Sequence, residues 1–230
     1  MDSSCGRISL MGTSILTPRQ HALVEQSIRS KEITQWYYLT GGTALAEYYL
    51  HHRYSEDIDF FTRSPVNPEK IRAFIADLQK VMGFRKAPEK HISGLYQYEL
   101  LFDDGEKLKI DFNEYDFPPV ERGMSYHGLK IDSKYDIAVN KLYTITSRVK
   151  SRDFVDLYVL ISQGEFSMEQ LISRVPDKFG VTPTDMSFIR GFLAAQELTD
   201  FPTMLIPFDR EKMIEFYLAE AKKMESKIFK

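Results

Sequence analysis

The sequence predicts an α+β protein: a mixed β-sheet with flanking helices over residues 1–131, followed by a helical lobe over residues 132–230. Three observations carry this expectation. Between Trp36 and Asn113, short runs of aliphatic and aromatic residues alternate with polar ones and end at Gly, Pro or Asp-Gly, the pattern of strands and turns. From Lys134 onward, apolar residues recur at helical spacing instead. At 230 residues, 43% hydrophobic and 27% charged, the chain can bury the core of one domain with an appendage, or of two small lobes.

In chain order, Thr17-Pro18 supplies an N-cap and a first-turn proline for a helix carrying Leu23, Val24 and Ile28. Trp36 to Leu39 reads as a strand that stops at Gly41-Gly42. Ala44, Leu45, Tyr48 and Tyr49 then have the spacing of a buried helix face. A second strand runs through Ile58, Phe60 and Phe61 to Ser64-Pro65, and a helix over about Asn67 to Val81 follows. Leu95 to Phe102 and Leu108 to Phe112, separated by Asp103-Asp104-Gly105, form a hairpin. Pro118-Pro119 breaks the chain, and Gly128 to Ile131 is irregular or strand-like. Helices are expected over Tyr135 to Val149, Arg152 to Ile161, Ser167 to Val175, Asp185 to Leu198 and Asp209 to Phe229.

Thirty Lys+Arg against thirty-three Asp+Glu give a net charge of -3 and exclude a globally basic nucleic-acid binder. The single cysteine, Cys5, excludes an internal disulfide and a thiolate metal cluster. No run of roughly twenty apolar residues and no secretory leader in Met1 to Leu10 are seen, so a cytoplasmic protein without a membrane partner is expected.

Chemistry concentrates in Asp57-Ile58-Asp59. Alternate strand residues share a face, so two carboxylates meet and repel unless a cation separates them. An arbitrary Asp-x-Asp usually faces solvent, but the flanking Ile58, Phe60 and Phe61 suggest a central strand whose acidic face opens into a site. Asp111, ending another apolar strand, offers a third carboxylate, and such a set suits Mg²⁺ or Mn²⁺. Gly41-Gly42-Thr43, between strand and helix, lets backbone approach an anion, with Thr43 available as a helix cap or a phosphate donor. It is neither a Walker loop nor a dinucleotide fingerprint. His51-His52 has no zinc-site spacing, and His52 reads as a packing or hydrogen-bonding residue. Asp153 and Asp156 share a helix face and could equally be ion-pair partners of Arg148, Lys150 or Arg152. Lys141, Arg148, Lys150 and Arg152, with Tyr143 and Tyr158, could hold a nucleic-acid backbone or form an ordinary solvated face.

Gly41-Gly42, one helix, Asp57-x-Asp59 and a later Asp111 resemble the core of the polymerase-β-like nucleotidyltransferases. More narrowly, Gly41-Gly42-Thr43-Ala44-Leu45, then His52-Arg53-x-Ser55-x-Asp57-Ile58-Asp59-Phe60-Phe61, are similar to the AbiE-type nucleotidyltransferase toxins of abortive-infection and type IV toxin–antitoxin systems. Asp136-Ile137-Ala138 with Lys141, and Arg148-x-x-x-Arg152-Asp153-x-x-Asp156-Leu157, agree with that family's helical motifs. The resemblance implies a nucleotidyltransferase-like core over residues 1–131 and a lobe over 132–230 that lends Lys141 and Asp153 or Asp156 to the site. It implies Mg²⁺-dependent transfer of a nucleoside monophosphate from an NTP onto an acceptor hydroxyl, with release of pyrophosphate. Asp57 and Asp59 would bind metal, and Asp111 would complete the site or act as base. Lys141, Arg53 and Ser55 would contact the triphosphate together with Gly41, Gly42 and Thr43. The acceptor implied is RNA, such as a tRNA 3′ end, and an antitoxin partner is implied as well. A nucleotide-binding interaction protein without turnover, or transfer to a small molecule or protein, are the competing expectations.

Overall fold

A computed structural model describes residues 14–228; Cys5 and the Met1 to Leu10 segment lie outside the described residues, as does Phe229. The elements are α1 (Pro18–Arg29), α2 (Lys31–Trp36), β1 (Tyr38–Thr40), α3 (Gly41–Leu45), β2 (Ile58–Thr62), α4 (Pro68–Met82), β3 (Glu89–Ile92), β4 (Leu95–Leu101) and β5 (Lys107–Glu114). They continue with β6 (Met124–Tyr126), β7 (Leu129–Ile131), α5 (Lys134–Ile145), α6 (Ser151–Ser162), α7 (Met168–Phe179), α8 (Asp185–Leu193) and α9 (Arg210–Ile228). The fold is α+β, as expected.

The strands form one mixed sheet in the order β3-β4-β5-β2-β1-β7-β6, so β2, the Asp-x-Asp strand, is the fourth of seven. It pairs antiparallel with β1 and parallel with β5, and the parallel register sets Asp59 beside Asp111 and Phe60 beside Phe112. Because side chains alternate across a pleat, one register does two things. On the inner face Ile58, Phe60, Ile110 and Phe112 are fully buried, with the Phe60 and Phe112 rings stacked at 5.5 Å. On the other face the carboxylates are brought together.

Three local differences from the sequence reading have physical causes. Trp36 ends a helix rather than opening a strand: Ser30 caps α2 by accepting from the Ile33 N–H, and β1 begins at Tyr38. The helix after Gly41 widens into a π-helical stretch over Ala46–Leu50 and ends at His51 in the left-handed region, φ 49°. That turn drives His52 and Arg53 inward, where both are buried. Strand β3 is exposed along its whole length, so no buried face marks it in the sequence.

The buried apolar side chains form a single cluster with members on both sides of residue 131. Within it Asp136 fixes the start of α5. Its N–H is capped by the Ser133 hydroxyl, and its carboxylate accepts from Ser133 Oγ, from the Val120 and Glu121 N–H groups and from the buried Lys178 ammonium of α7. The α5 helix is thereby held at a fixed rotation against the sheet, and Lys141, seven residues after the cap residue's neighbour Lys134, emerges beside the carboxylate face. No helix among the described residues is long and apolar enough to cross a membrane.

Candidate active site

A cleft of about 360 Å³ lies between the carboxylate face of the sheet and helices α5 and α6. Of the residues picked out from the sequence, Gly41, Gly42, Arg53, Ser55, Asp57, Asp59, Asp111, Lys141 and Asp153 line it. Thr43 and Asp156 do not.

The turn and the strand fit each other at atomic range. Gly41 has φ 74°, and a Cβ there would stand 2.3 Å from Asp59 Oδ2. Only glycine allows both that backbone conformation and that approach. Gly41→Ala is therefore expected to cost about 1–3 kcal/mol of stability and to displace the Asp59 carboxylate. Urea denaturation of the variant checks this, and unchanged stability would contradict the packing described.

Burial, together with neighbouring Asp111 and Asp57, pushes the Asp59 carboxyl up to about 6. Asp111 is better provided: Gln97 on β4 donates to its Oδ1 at 3.0 Å and the Lys109 ammonium lies 3.0 Å from its Oδ2. The same ammonium lies 3.3 Å from Asp57 Oδ2, which Arg152 Nη1 approaches at 3.5 Å. Burial opposes the charge on Lys109, but the Asp111 and Asp57 carboxylates outweigh it and raise the lysine above its ordinary range. Lys109 stands two residues before Asp111 on β5 and so on the same face, a strand-period signal present in the sequence but left without a role there.

Across the cleft, Lys141 Nζ lies 2.7 Å from Asp153 Oδ1 and 2.8 Å from Asp156 Oδ2. Burial works against its charge, but Asp156 and Asp153 raise it above the ordinary lysine range, and the ammonium is fixed as a cation. Two of its three N–H groups are used by these carboxylates. Asp153 also receives Arg148.

Asp156, completely buried, is a hub. It accepts from Lys141, from His52 Nε2 at 2.7 Å, and from Arg53 in a two-pronged contact at 2.6 and 2.8 Å. Despite burial, Lys141 and Arg53 hold it well below the usual carboxylate range. Two expectations are revised by this geometry. Arg53, expected at phosphates, directs Nε and Nη2 to Asp156 and Nη1 to the Tyr54 carbonyl, and packs beneath Gly42. Thr43, expected as a cap or phosphate donor, is fully buried and donates to the Asp57 carbonyl, tying the turn to the entry of β2. His52 takes the hydrogen-bonding role expected of it. The segment carrying His52 and Arg53 is clamped from outside, Tyr54 N–H donating to the Thr203 carbonyl and Leu205 N–H to that of His52.

The donor set Asp57, Asp59 and Asp111 suits a hard divalent cation, and the raised Asp59 carboxyl reports negative charge without a cation of its own. Among the described residues, however, no three His, Cys, Asp or Glu side chains converge as a ready-made cage. At this corner a lysine ammonium stands against two of the three carboxylates.

The family described as "Nucleotidyl transferase AbiEii toxin, Type IV TA system" matches residues 22–220. An uncharacterized protein of Aquifex aeolicus (strain VF5) is 31% identical over 158 residues, 67% of this chain and 71% of its own. Among solved structures, JHP933 from Helicobacter pylori superposes with a TM-score of 0.58 at 21% identity, over 91% of this chain and 90% of its own. A second H. pylori structure, described as a nucleotidyltransferase, gives 0.57 at 19% identity, over 91% and 92%. Likeness at these identities is likeness of fold.

Proposed function

The chain belongs to the AbiEii family of nucleotidyltransferase toxins, and from that premise we propose that it transfers a nucleoside monophosphate from an NTP to an acceptor hydroxyl, releasing pyrophosphate, at the cleft between β2, β5, α5 and α6. The observation that carries this reading is the pairing of Asp59 with Asp111 across adjacent parallel strands, with the glycine turn against one side and Lys141 facing it from the helices.

Asp57, Asp59 and Asp111 would hold Mg²⁺, or Mn²⁺ in its place, which when bound neutralises triphosphate charge and polarises the α-phosphate. The acceptor oxygen bonds to the α-phosphorus, the bond from that phosphorus to the pyrophosphate oxygen breaks, and the hydroxyl proton leaves to the carboxylate cluster. Lys141 meets the phosphates as a point charge, held in place by Asp153 and Asp156. Gly41, Gly42 and Ser55 line the side of the cleft where backbone and hydroxyl groups can approach a phosphate, and Arg148 and Arg152 lie at its exposed rim. We read residues 1–131 as the catalytic core and residues 132–230 as the lobe that supplies Lys141, Asp153 and Asp156.

The acceptor we favour is RNA, with a tRNA 3′ end as the first to test. A second cleft shares Arg53, Ser55 and Arg152 with the first and is lined also by Lys150, Tyr54 and Phe201, cations and aromatics of the kind that take a strand's phosphates and bases. Membership of a type IV toxin–antitoxin family supports an antitoxin as its partner, and a reaction that consumes NTPs and modifies RNA supports a cytoplasmic setting.

The test incubates the chain with each labelled NTP, Mg²⁺ and, separately, total RNA, protein or small-molecule hydroxyl acceptors. Label is expected in RNA. Lys141→Ala is expected to lower transfer about a hundredfold while circular dichroism shows a folded chain. Label in protein or a small molecule would replace the acceptor. No label in any acceptor, with nucleotide still bound, would replace catalysis by nucleotide binding alone.

A further inference from the structure

Among the described residues, Lys109 is the one cation placed inside the carboxylate cluster itself. The other basic groups of the cleft are engaged elsewhere: Arg53 with Asp156, Lys141 with Asp153 and Asp156, Arg148 with Asp153, Arg152 at the far reach of Asp57. Lys109 Nζ instead lies 3.3 Å from Asp57 Oδ2 and 3.0 Å from Asp111 Oδ2. It bridges the carboxylate two residues before Asp59 and the one paired with Asp59 across the strands. The position follows from the β-period, since Lys109 and Asp111 project from the same face of β5.

An ammonium and a hydrated divalent ion ask for the same oxygens, and two cations at one pair of carboxylates repel. We propose that Lys109 is a built-in competitor for the metal site: its ammonium holds Asp57 and Asp111 in the metal-free chain, and a divalent ion loads by displacing it toward the cleft. The inference rests on the reading of Asp57, Asp59 and Asp111 as metal ligands. Three features of the structure support it. The ammonium contacts two of the three carboxylates. Asp59, the third, has no cation at hydrogen-bond range among the described residues. And with the lysine in place the three carboxylates do not converge as a cage. The lysine side chain is a third exposed, enough freedom for a four-carbon stem to swing outward without disturbing the core.

A residue that merely orients Asp57 and Asp111 would help metal binding. A competitor would hinder it. The two roles therefore predict opposite signs for the same measurement, Mn²⁺ affinity of the nucleotide-free chain by electron paramagnetic resonance and calorimetry. Lys109→Met is expected to bind Mn²⁺ about tenfold more tightly than wild type, a difference of about 1.4 kcal/mol, whereas Lys109→Arg, which keeps the charge, should show no such gain. Equal or weaker binding by Lys109→Met overturns the competition. Asp59→Asn separates the two levels of inference. Binding that is the same in wild type and Lys109→Met, but lost in Asp59→Asn, leaves the metal site standing and removes the competition. Absence of binding in all variants, or binding that persists in Asp59→Asn, overturns both. A second readout uses wild type alone: reductive methylation with mass spectrometry should label Lys109 faster when Mg²⁺ is added, and an unchanged rate counts against displacement.

Discussion

Asp156→Ala is expected to destabilise the protein by about 3–5 kcal/mol, the range for removing one partner from a buried ion pair. The carboxylate receives donors from His52, Arg53 and Lys141, all buried, and alanine would leave the Arg53 guanidinium and the His52 imidazole without their carboxylate partner and Lys141 with Asp153 alone. In a domain of this size each 1 kcal/mol moves the melting temperature by about 2–4 °C, so a fall of about 10 °C in a thermal melt is the expected result. Asp156→Asn should fall between the two, because it keeps an acceptor but not the charge. A loss below about 1 kcal/mol would mean that the four groups do not act as a unit. The effect should shrink in acid. Asp156 is held well below its ordinary value, so its contribution is present above the unfolded carboxylate range and disappears as pH falls through the lower folded value. Wild type and Asp156→Ala should therefore converge only under strongly acidic conditions.

Asp59→Asn is expected to have the opposite effect on stability and the larger effect on chemistry. With its carboxyl raised from 3.8 to about 6, the folded metal-free chain binds more protons than the unfolded one between those values. The contribution of Asp59 is therefore fully favourable in acid and is lost as pH rises from about 4 to about 6. At pH 7–8 the ionised group leaves a penalty of about 2–3 kcal/mol. Asparagine removes it, so the variant should be more stable than wild type above pH 6 without metal and closely similar below pH 4. Some slope should survive in the variant, since burial also pushes Asp132 up to about 6. Nucleotidyl transfer should fall about a thousandfold with the loss of a proposed metal ligand. A variant that is stabilised and inactive marks a group held for function at the expense of the fold. One that is destabilised would show that Asp59 is structural.

Much of this site was readable because it is local. Asp57 and Asp59 are two apart on an apolar strand, and Asp111 closes a hairpin whose turn and alternation are explicit. The sheet order was less accessible. Strand β3 has no buried side chains and β6 has three residues, so neither produces a period, and the short α2 announces itself only through the Ser30 cap. The contacts of Arg53 and Thr43, and the Arg53 half of the Asp156 hub, were out of reach for a different reason. Arg53 and Asp156 are 103 residues apart, and which of two neighbouring acids receives a buried arginine is decided by packing at that distance. Short-range pattern put Arg53 next to a phosphate because it precedes the Asp-x-Asp strand; the π-helical turn before it points it into the core instead. Lys109 was visible at strand spacing from Asp111, but spacing gives a shared face and not the direction in which a flexible ammonium reaches.

The clamp on the His52–Tyr54 segment bears on when the protein becomes competent. Its outer half, Thr203 to Leu205, is synthesised about 150 residues after Arg53. At ribosomal rates of about 5–20 residues per second, the carboxylate strand waits roughly 8–30 s for the chain that braces the segment leading into it. The hub at Asp156 and the brace at Thr203 both arrive late, so a nascent or prematurely terminated chain carries the acidic strand without the scaffold that aligns it. The brace is therefore a long-range contact in sequence, and the order of synthesis leaves the segment entering the acidic strand unbraced until residues 203–205 have been made.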